Sequence, residues 1–336
     1  MSLNEVAKRA RVSPATVSRV LNNLDVVKGS TRARVMKAIA ELNYHPNLHA
    51  RTLAGGRSRT LGIVMSNMAN PFFFDVFEAF EAAAISRGYE VVAAHTGYQA
   101  ERLVSSIRLM MERRVAGLAV IVSEMDPELR AELANGSMPV VFYDVGAPGK
   151  HITNIRVQYR QGIEKTVEYL HNLGHTRMAF VGHHAQLAPL DERKKSFLET
   201  VARYSPHLDI TTEAEADGPE GGRKAARQLL ASGSTPSAII CVNDFTAIGV
   251  LRELRDQGLR VPEDISVTGF DNIKLSEFCF PALTTVHIPR DRIGHSVFES
   301  LVEDDGSPPG GGREILIDPE FVVRDSTGAA LAREHF

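Results

Sequence analysis

No apolar run in this 336-residue chain approaches the ~20 residues that a membrane-spanning helix needs. Its start is polar and basic, without the apolar core of a secretion signal, so a cytoplasmic, nucleoid-associated location is expected. Cysteine is scarce. Cys241 and Cys279 each sit alone in an apolar segment, which suits two reduced thiols better than a disulfide. Neither a Walker loop nor a Gly-x-Gly-x-x-Gly after a strand is present: Gly221-Gly222 opens a helix, and Gly306–Gly312, with Pro308-Pro309, reads as a flexible surface loop. The paired His183-His184 has no neighbouring Cys or Glu at metal-ligand spacing and reads as two loop residues. No nucleophile–base arrangement stands out. The expectation is a protein that is not an enzyme, with no catalytic residues, no metal and no cofactor.

Apolar residues make up 43% of the chain and charged ones 24%, as in a soluble globular protein, and the length calls for two or three domains. Charge is distributed unevenly. Residues 1–60 hold eleven Lys and Arg against three acids, a net +8, whereas the remainder carries −11. A basic head on an acidic body is the footprint of a polyanion-binding module joined to something else.

The head is organised around Val12-Ser13-Pro14-Ala15-Thr16-Val17-Ser18-Arg19-Val20-Leu21-Asn22. Ser13 suits the cap of a helix and Pro14 its first position. Val17, Val20 and Leu21 fall at i, i+3 and i+4, which gives one buried face. Ala15, Thr16 and Ser18 are small, so a nucleic-acid backbone can approach the helix start. Arg19 and Asn22 supply the donors that read guanine and adenine edges or hold phosphates. Ser2 and Glu5 fit a capping box for a preceding helix with Leu3, Val6, Ala7 and Ala10 inside, and the turn at Arg11-Val12 completes a helix-turn-helix. A third helix is expected from Thr31, with Val35, Met36, Ile39 and Leu42 inward, ended by Asn43 and Pro46. The following segment, Pro46 to Gly56, is too short for a stable isolated helix.

Val12-Ser13-x-x-Thr16-Val17-Ser18-Arg19-Val20-Leu21-Asn22, then Asn43-Tyr44-x-Pro46-Asn47 and Ala50-Arg51-x-Leu53, resemble the LacI/GalR family of bacterial transcription regulators. That resemblance implies a hinge helix over 46–59, paired across a dimer, with Leu53 wedged into the minor groove and Asn47 and Ala50 beside it. An exposed Leu among polar residues also suits minor-groove intercalation on physical grounds. One departure is Arg11, where the family often has Gly. A left-handed backbone there costs a non-glycine residue roughly 1 kcal/mol.

From Leu61 onward, apolar strand-like runs alternate with amphipathic helices. Strands are expected at 61–65, 89–93, 117–122, 140–143, 178–181, 238–242, 265–269 and 284–288. Helices are expected at 73–87, 101–113, 160–173, 191–204, 221–231 and 245–257. The alternation means parallel sheets covered on both faces by helices, in two doubly wound lobes, with ligands at the carboxyl ends of the strands. Residues at those ends are Phe72, Phe73, Asp144, Arg193, Asn243 and Asp271. Carboxylates, an amide and a guanidinium over an aromatic floor suit a polyhydroxylated ligand such as a sugar or nucleoside. Asp244 reads more readily as a helix cap.

The family resemblance extends over the body through Asn70-Pro71-Phe72-Phe73, Leu173-Gly174-His175, Asn243-Asp244, Gly258-Leu259-Arg260-Val261-Pro262-Glu263-Asp264, Gly269-Phe270-Asp271 and Pro281-x-Leu283-Thr284-Thr285-Val286. It implies lobes like those of periplasmic sugar-binding proteins (type I), with a small effector held by the six residues just named. Val145 follows Asp144 where many members have Arg, and Asp217 falls near a customary aromatic. The expected architecture is an all-α helix-turn-helix head, 1–45, a hinge, 46–59, and an α/β body, 60–336. Within the body the first lobe covers about 60–158 and 288–316, the second about 159–287 and 317–326. The implied partners are a pseudo-palindromic double-stranded DNA operator, a small-molecule effector (sugar first, then nucleoside or purine) and a second copy of the chain, with no membrane. A soluble sugar-binding receptor would lack the basic head, and a nucleotide-dependent enzyme would have a phosphate loop.

Overall fold

The computed structural model describes residues 2–21, 26–44, 58–183, 187–204, 210–214, 217–232, 236–303 and 310–331. The chain divides into two compact units, Met1–Ser58 and Arg59–Phe336.

The first unit holds α1 (Leu3–Ala10), α2 (Pro14–Leu21) and α3 (Gly29–Glu41). The capping box is formed: Glu5 N–H donates to Ser2 Oγ, and Ser2 N–H donates to Glu5 Oε2 at 2.6 Å. Arg11 takes the left-handed backbone, φ 53° and ψ 52°, at the end of α1. Val6, Ala7, Ala10, Val17, Val20, Val35, Ala38 and Tyr44 form the small core, with Leu3, Leu21, Ile39 and Leu42 packed against it. Met36 is a correction: it was expected inside and is 53% exposed. Ala38, Ile39 and Leu42 continue the stripe of Val35, and Met36 lies about 100° round the helix from it.

The body opens as one lobe. Its elements are β1 (Thr60–Met65), α4 (Pro71–Ser86), β2 (Glu90–His95), α5 (Ala100–Glu112), β3 (Gly117–Ile121), α6 (Pro127–Asn135), β4 (Val140–Tyr143) and β5 (Ile152–Val157). The chain then builds a second lobe. It runs through α7 (Tyr159–Asn172), β6 (Met178–His183), α8 (Ala188–Tyr204), β7 (Ile210–Ala214), α9 (Pro219–Ala231), β8 (Ala238–Cys241), α10 (Asp244–Asp256), β9 (Ser266–Thr268), α11 (Lys274–Phe278) and β10 (Thr285–His287). It crosses back for α12 (Arg290–Glu299) and β11 (Glu314–Ile317), and crosses a third time for β12 (Glu320–Val322).

Both main sheets are parallel. The N-lobe order is β11-β5-β4-β3-β1-β2 and the C-lobe order is β7-β6-β8-β9, while β10 and β12 form a small antiparallel pair. Strand order reverses between β1 and β3 in one sheet and between β6 and β8 in the other, which puts a crevice at the carboxyl end of each. The pattern reading did not anticipate β5, β7, β11 or β12. Asn154 and Arg156 interrupt the apolar run of β5, and β11 is an edge strand whose apolar run, Ile315-Leu316-Ile317, is only three residues long. One apolar core runs from Leu61 and Phe80 through Tyr143 and Tyr159 to Phe180 and Phe270, so it is shared by both lobes. No helix among the described residues is long and apolar enough to cross a membrane.

Two glycines bring α9 and α10 into backbone contact. A Cβ on Gly222 would lie 2.1 Å from Thr246 O, and one on Gly249 would lie 1.9 Å from Pro219 O. Fully buried Glu253 of α10 reinforces the pair through Arg227 and Arg223 of α9, at 2.9 and 3.4 Å. The amino ends of both helices, which carry Asp217 and Asn243, are thereby held side by side.

Candidate functional site

On the head, Ser13 caps α2 by accepting from Thr16 N–H at 3.2 Å, and its hydroxyl bonds the Thr16 hydroxyl at 2.9 Å. Val17 and Val20 are buried beneath. Ser13, Ala15 and Arg19 are exposed, with Thr16 and Ser18 half-buried between the two faces. The other residues expected to touch DNA (Asn22, Asn47, Ala50 and Leu53) lie outside the described residues. Glu5 is engaged in its capping box, and Glu41 pairs with Arg9 at 2.5 Å. Neither described acid lies on α2, so nothing on that helix opposes its basic character.

In the body, Phe72, Phe73, Arg193, Asn243 and Asp271 line one cavity of about 30 Å³ between the lobes. Phe72 and Phe73 meet edge-on at 5.4 Å, and Phe72 packs against Tyr143 at 5.8 Å. Arg193, 5% exposed, lies over the rings of Tyr159 and Phe270, 4.3 and 4.6 Å from their centroids. Its Nη1 donates to Val242 O at 2.8 Å, and its Nη2 stands 3.8 Å from Asp271 Oδ1. Burial, the largest single influence on Arg193, pulls its pKa down, yet Tyr159, Asp271 and Tyr143 together leave it above the usual arginine value. Among the described residues, neither Arg193 Nε nor Asp271 Oδ1 has a hydrogen-bond partner. A buried polar atom left unsatisfied is an exception that calls for an explanation.

Asp144 stands behind the cavity wall rather than on it. It accepts from Val157 N–H at 2.8 Å and from the Tyr159 hydroxyl at 2.5 Å. Burial raises its carboxyl to about 7 against those bonds, and burial likewise raises Asp271 to about 7 despite Arg193 and Arg290. Asp244 does not cap its helix, as the sequence suggested. Asn243 does, accepting from Thr246 N–H at 2.8 Å, while Asp244 pins Ile273 N–H at 2.8 Å and the Thr285 hydroxyl at 2.5 Å. Burial pushes Asp244 up to about 8.

Sequence reasoning singled out Asp217 only as a departure from a family pattern. It is the most heavily bonded carboxylate of the cleft: Asn67, Asn70, Tyr98 and Asn243 all donate to it, at 2.8–3.1 Å. Asn67, Tyr98, Tyr143 and Tyr159 were missed as well. Tyr143 and Tyr159 look like core residues in sequence, and Tyr98 sits in a turn. A backbone signal marks part of the set, because Tyr98, Asp144 and Asp271 have φ of 62°, 61° and 104°. Such conformations cost non-glycine residues energy and gather at functional sites. A wider groove of about 770 Å³, between the end of α4 and α12, lies at the amino end of the strands, away from this chemistry.

Residues 2–47 match the profile of bacterial regulatory proteins of the lacI family, and residues 167–327 match a periplasmic binding protein-like domain. The HTH-type transcriptional repressor PurR of Vibrio vulnificus is 34% identical over 329 residues, covering 97% of this chain and 98% of its own length. The chain belongs to the LacI family. It is a DNA-binding transcriptional repressor of that family, with the helical head and parallel-sheet body expected from its sequence. The repressor CytR of Escherichia coli K12 is 31% identical, covering 98% of this chain and 96% of its own. Among solved structures, the lac repressor dimer bound to operator and the anti-inducer ONPF aligns at TM-score 0.83 and 28% identity, covering 98% of this chain and 99% of that one.

Proposed function

We propose that the inter-lobe cleft is the effector site and that its occupancy switches operator affinity. One observation carries this reading: Arg193 Nε and Asp271 Oδ1 are buried without hydrogen-bond partners among the described residues, on two residues that line an aromatic-walled cavity formed by both lobes. Phe72 and Phe73 offer rings for stacking, Asn243 an amide, and Asp144 steadies Tyr159 from behind. Rings on several sides favour a flat ligand. A nucleoside or purine base is therefore placed ahead of the sugar that the sequence suggested first, a preference in keeping with the full-length PurR and CytR relatives.

Ser13, Ala15, Thr16, Ser18, Arg19 and Asn22 are assigned to the major groove, with Asn47, Ala50 and the wedge Leu53 in the minor groove. Two heads on a two-fold dimer read a pseudo-palindrome. Leu275, Phe278 and Phe280, exposed by 49, 72 and 89% within six residues of the C-lobe, supply apolar surface for the second copy.

The test is a ligand screen by thermal shift, followed by titration of a pseudo-palindromic operator with each hit. A coupling of 1–3 kcal/mol moves operator affinity roughly 5- to 150-fold. Weakened DNA binding identifies an inducer and tightened binding a corepressor. A ligand that binds the cleft without moving DNA affinity defeats the reading in favour of a plain receptor.

A further inference from the structure

Asp217 lies on the C-lobe turn ahead of α9, yet three of its four donors come from the N-lobe. Asn67 Nδ2 and Asn70 Nδ2 reach its Oδ2 at 3.1 Å, and the Tyr98 hydroxyl reaches the same oxygen at 2.8 Å. The fourth, Asn243 Nδ2, donates to Oδ1 at 3.0 Å. Three amides and a phenol suit an ionised carboxylate, since a protonated one would aim its own O–H at one of these donors. Oδ2 is saturated, whereas Oδ1 keeps an acceptor direction. Asp271 Oδ1, on a residue only 3% exposed, is a second acceptor without a hydrogen bond among the described residues, although Arg193 Nη2 stands 3.8 Å from it.

Positive charge to set against these acids is scarce. Among the described residues Arg193 is the sole cation lining the cavity, and its Nη1 is spent on a backbone carbonyl. Its face is covered by Tyr159 and Phe270, its Nη2 faces Asp271 Oδ1 at 3.8 Å, and its Nε has no hydrogen-bond partner among the described residues. An anionic group entering here would meet the Asp217 carboxylate, and that of Asp271 wherever it is ionised, with one partly committed guanidinium to balance them.

We propose that Asp217 makes the cleft selective by charge: it admits a neutral or cationic ligand that donates hydrogen bonds and rejects the phosphorylated or carboxylate counterpart. A nucleoside, a free base or an amino- or hydroxyl-bearing sugar fits, and the corresponding nucleotide, sugar phosphate or sugar acid does not. This deepens the reading of the cleft as the effector site and rests on it.

The experiment is calorimetric titration of the full chain with matched probes: adenosine against AMP, cytidine against CMP, and glucose and glucosamine against gluconate and glucose 6-phosphate. At least one neutral or cationic probe binds, and its anionic partner binds at least tenfold more weakly. Asp217→Asn, of the same shape, narrows that gap at least threefold. Asp217→Glu, which keeps the charge, retains the gap and remains readable if the Asn variant fails to fold. Arg193→Ala abolishes all binding. An anionic probe that binds as tightly as its partner, or a gap unchanged in Asp217→Asn, overturns the charge assignment alone. Binding that survives Arg193→Ala, or no binding by any probe, overturns the cleft reading with it.

Discussion

Asn70 and Asn243 begin helices in different lobes and perform the same two tasks. Each uses its side-chain oxygen to cap its own helix, Asn70 accepting from Phe72 N–H at 3.1 Å and Asn243 from Thr246 N–H at 2.8 Å. Each then spends its amide on Asp217, one on Oδ2 and the other on Oδ1. The asparagines are fixed by their caps before they reach the cleft, so little side-chain freedom is lost in gripping the carboxylate.

That arrangement depends on α9 and α10 touching backbone to backbone. Gly249→Ala places a methyl 1.9 Å from Pro219 O, and the helices must part. The expected cost is about 1–3 kcal/mol in urea denaturation, as for other overpacked sites, with effector affinity falling along with it. Gly29→Ala, at the first position of α3, meets open space and is expected to change stability by less than ~0.5 kcal/mol. Equal effects of the two substitutions would show that the close helix approach is not what matters.

The placing of Phe72, Phe73, Arg193 and Asp271 at strand ends was legible from the sequence, whereas the cap of α10 was given to Asp244 and belongs to Asn243, one residue earlier. Strand ends follow from apolar periodicity. Asp217's role was not legible, because its four donors are separated from it by 26 to 150 residues and meet only through the closure of both lobes. β5 was missed for a different reason. Its burial comes from its position between β4 and β11, while its sequence carries Asn154 and Arg156.

Asp244 predicts a pH dependence of stability. Its unfolded carboxyl titrates near 3.8 and its folded one near 8, so the native state holds a proton that the unfolded chain gives up. Stability from this group is complete below about pH 4 and is lost as pH rises toward 8, by at most about 1.4 kcal/mol per pH unit. Asp244→Asn, whose amide can donate to Thr285, removes the slope. Its stability relative to the parent therefore improves from pH 5 to pH 8, whereas parallel melting curves would refute the assignment.

Asp271, raised to about 7, links ligand binding to a proton. A ligand donor on its open oxygen favours the ionised form, so binding at pH 6 releases a proton and affinity climbs as pH rises through 7. Calorimetry in two buffers of different ionisation enthalpy reads that release directly. Asp271→Asn is expected to abolish it, and an unchanged release would assign the proton to another group.

On the head, Arg19→Ala is expected to weaken operator binding by about 1–3 kcal/mol and to relax sequence preference, as befits a base-reading arginine. Met36→Ala, an exposed site on a different helix, leaves binding unchanged. Titrations of operator and scrambled DNA at one fixed salt concentration separate the two outcomes. A loss identical on both sequences would make Arg19 a phosphate contact instead.

Arg290 occupies the second of the three inter-lobe crossings, where it donates from Nη1 to the backbone carbonyl of Asp271 and from Nε to Asp75 of α4 at 2.9 Å. Asp271 is thus gripped from both ends, its carboxyl facing the cleft and its carbonyl tied to the helix that opens with Phe72 and Phe73. A molecule lying between those rings and that carboxyl closes a circuit whose other half is already wired through Arg290. Any tug on Asp271 therefore returns, with little slack, to the helix on the opposite bank.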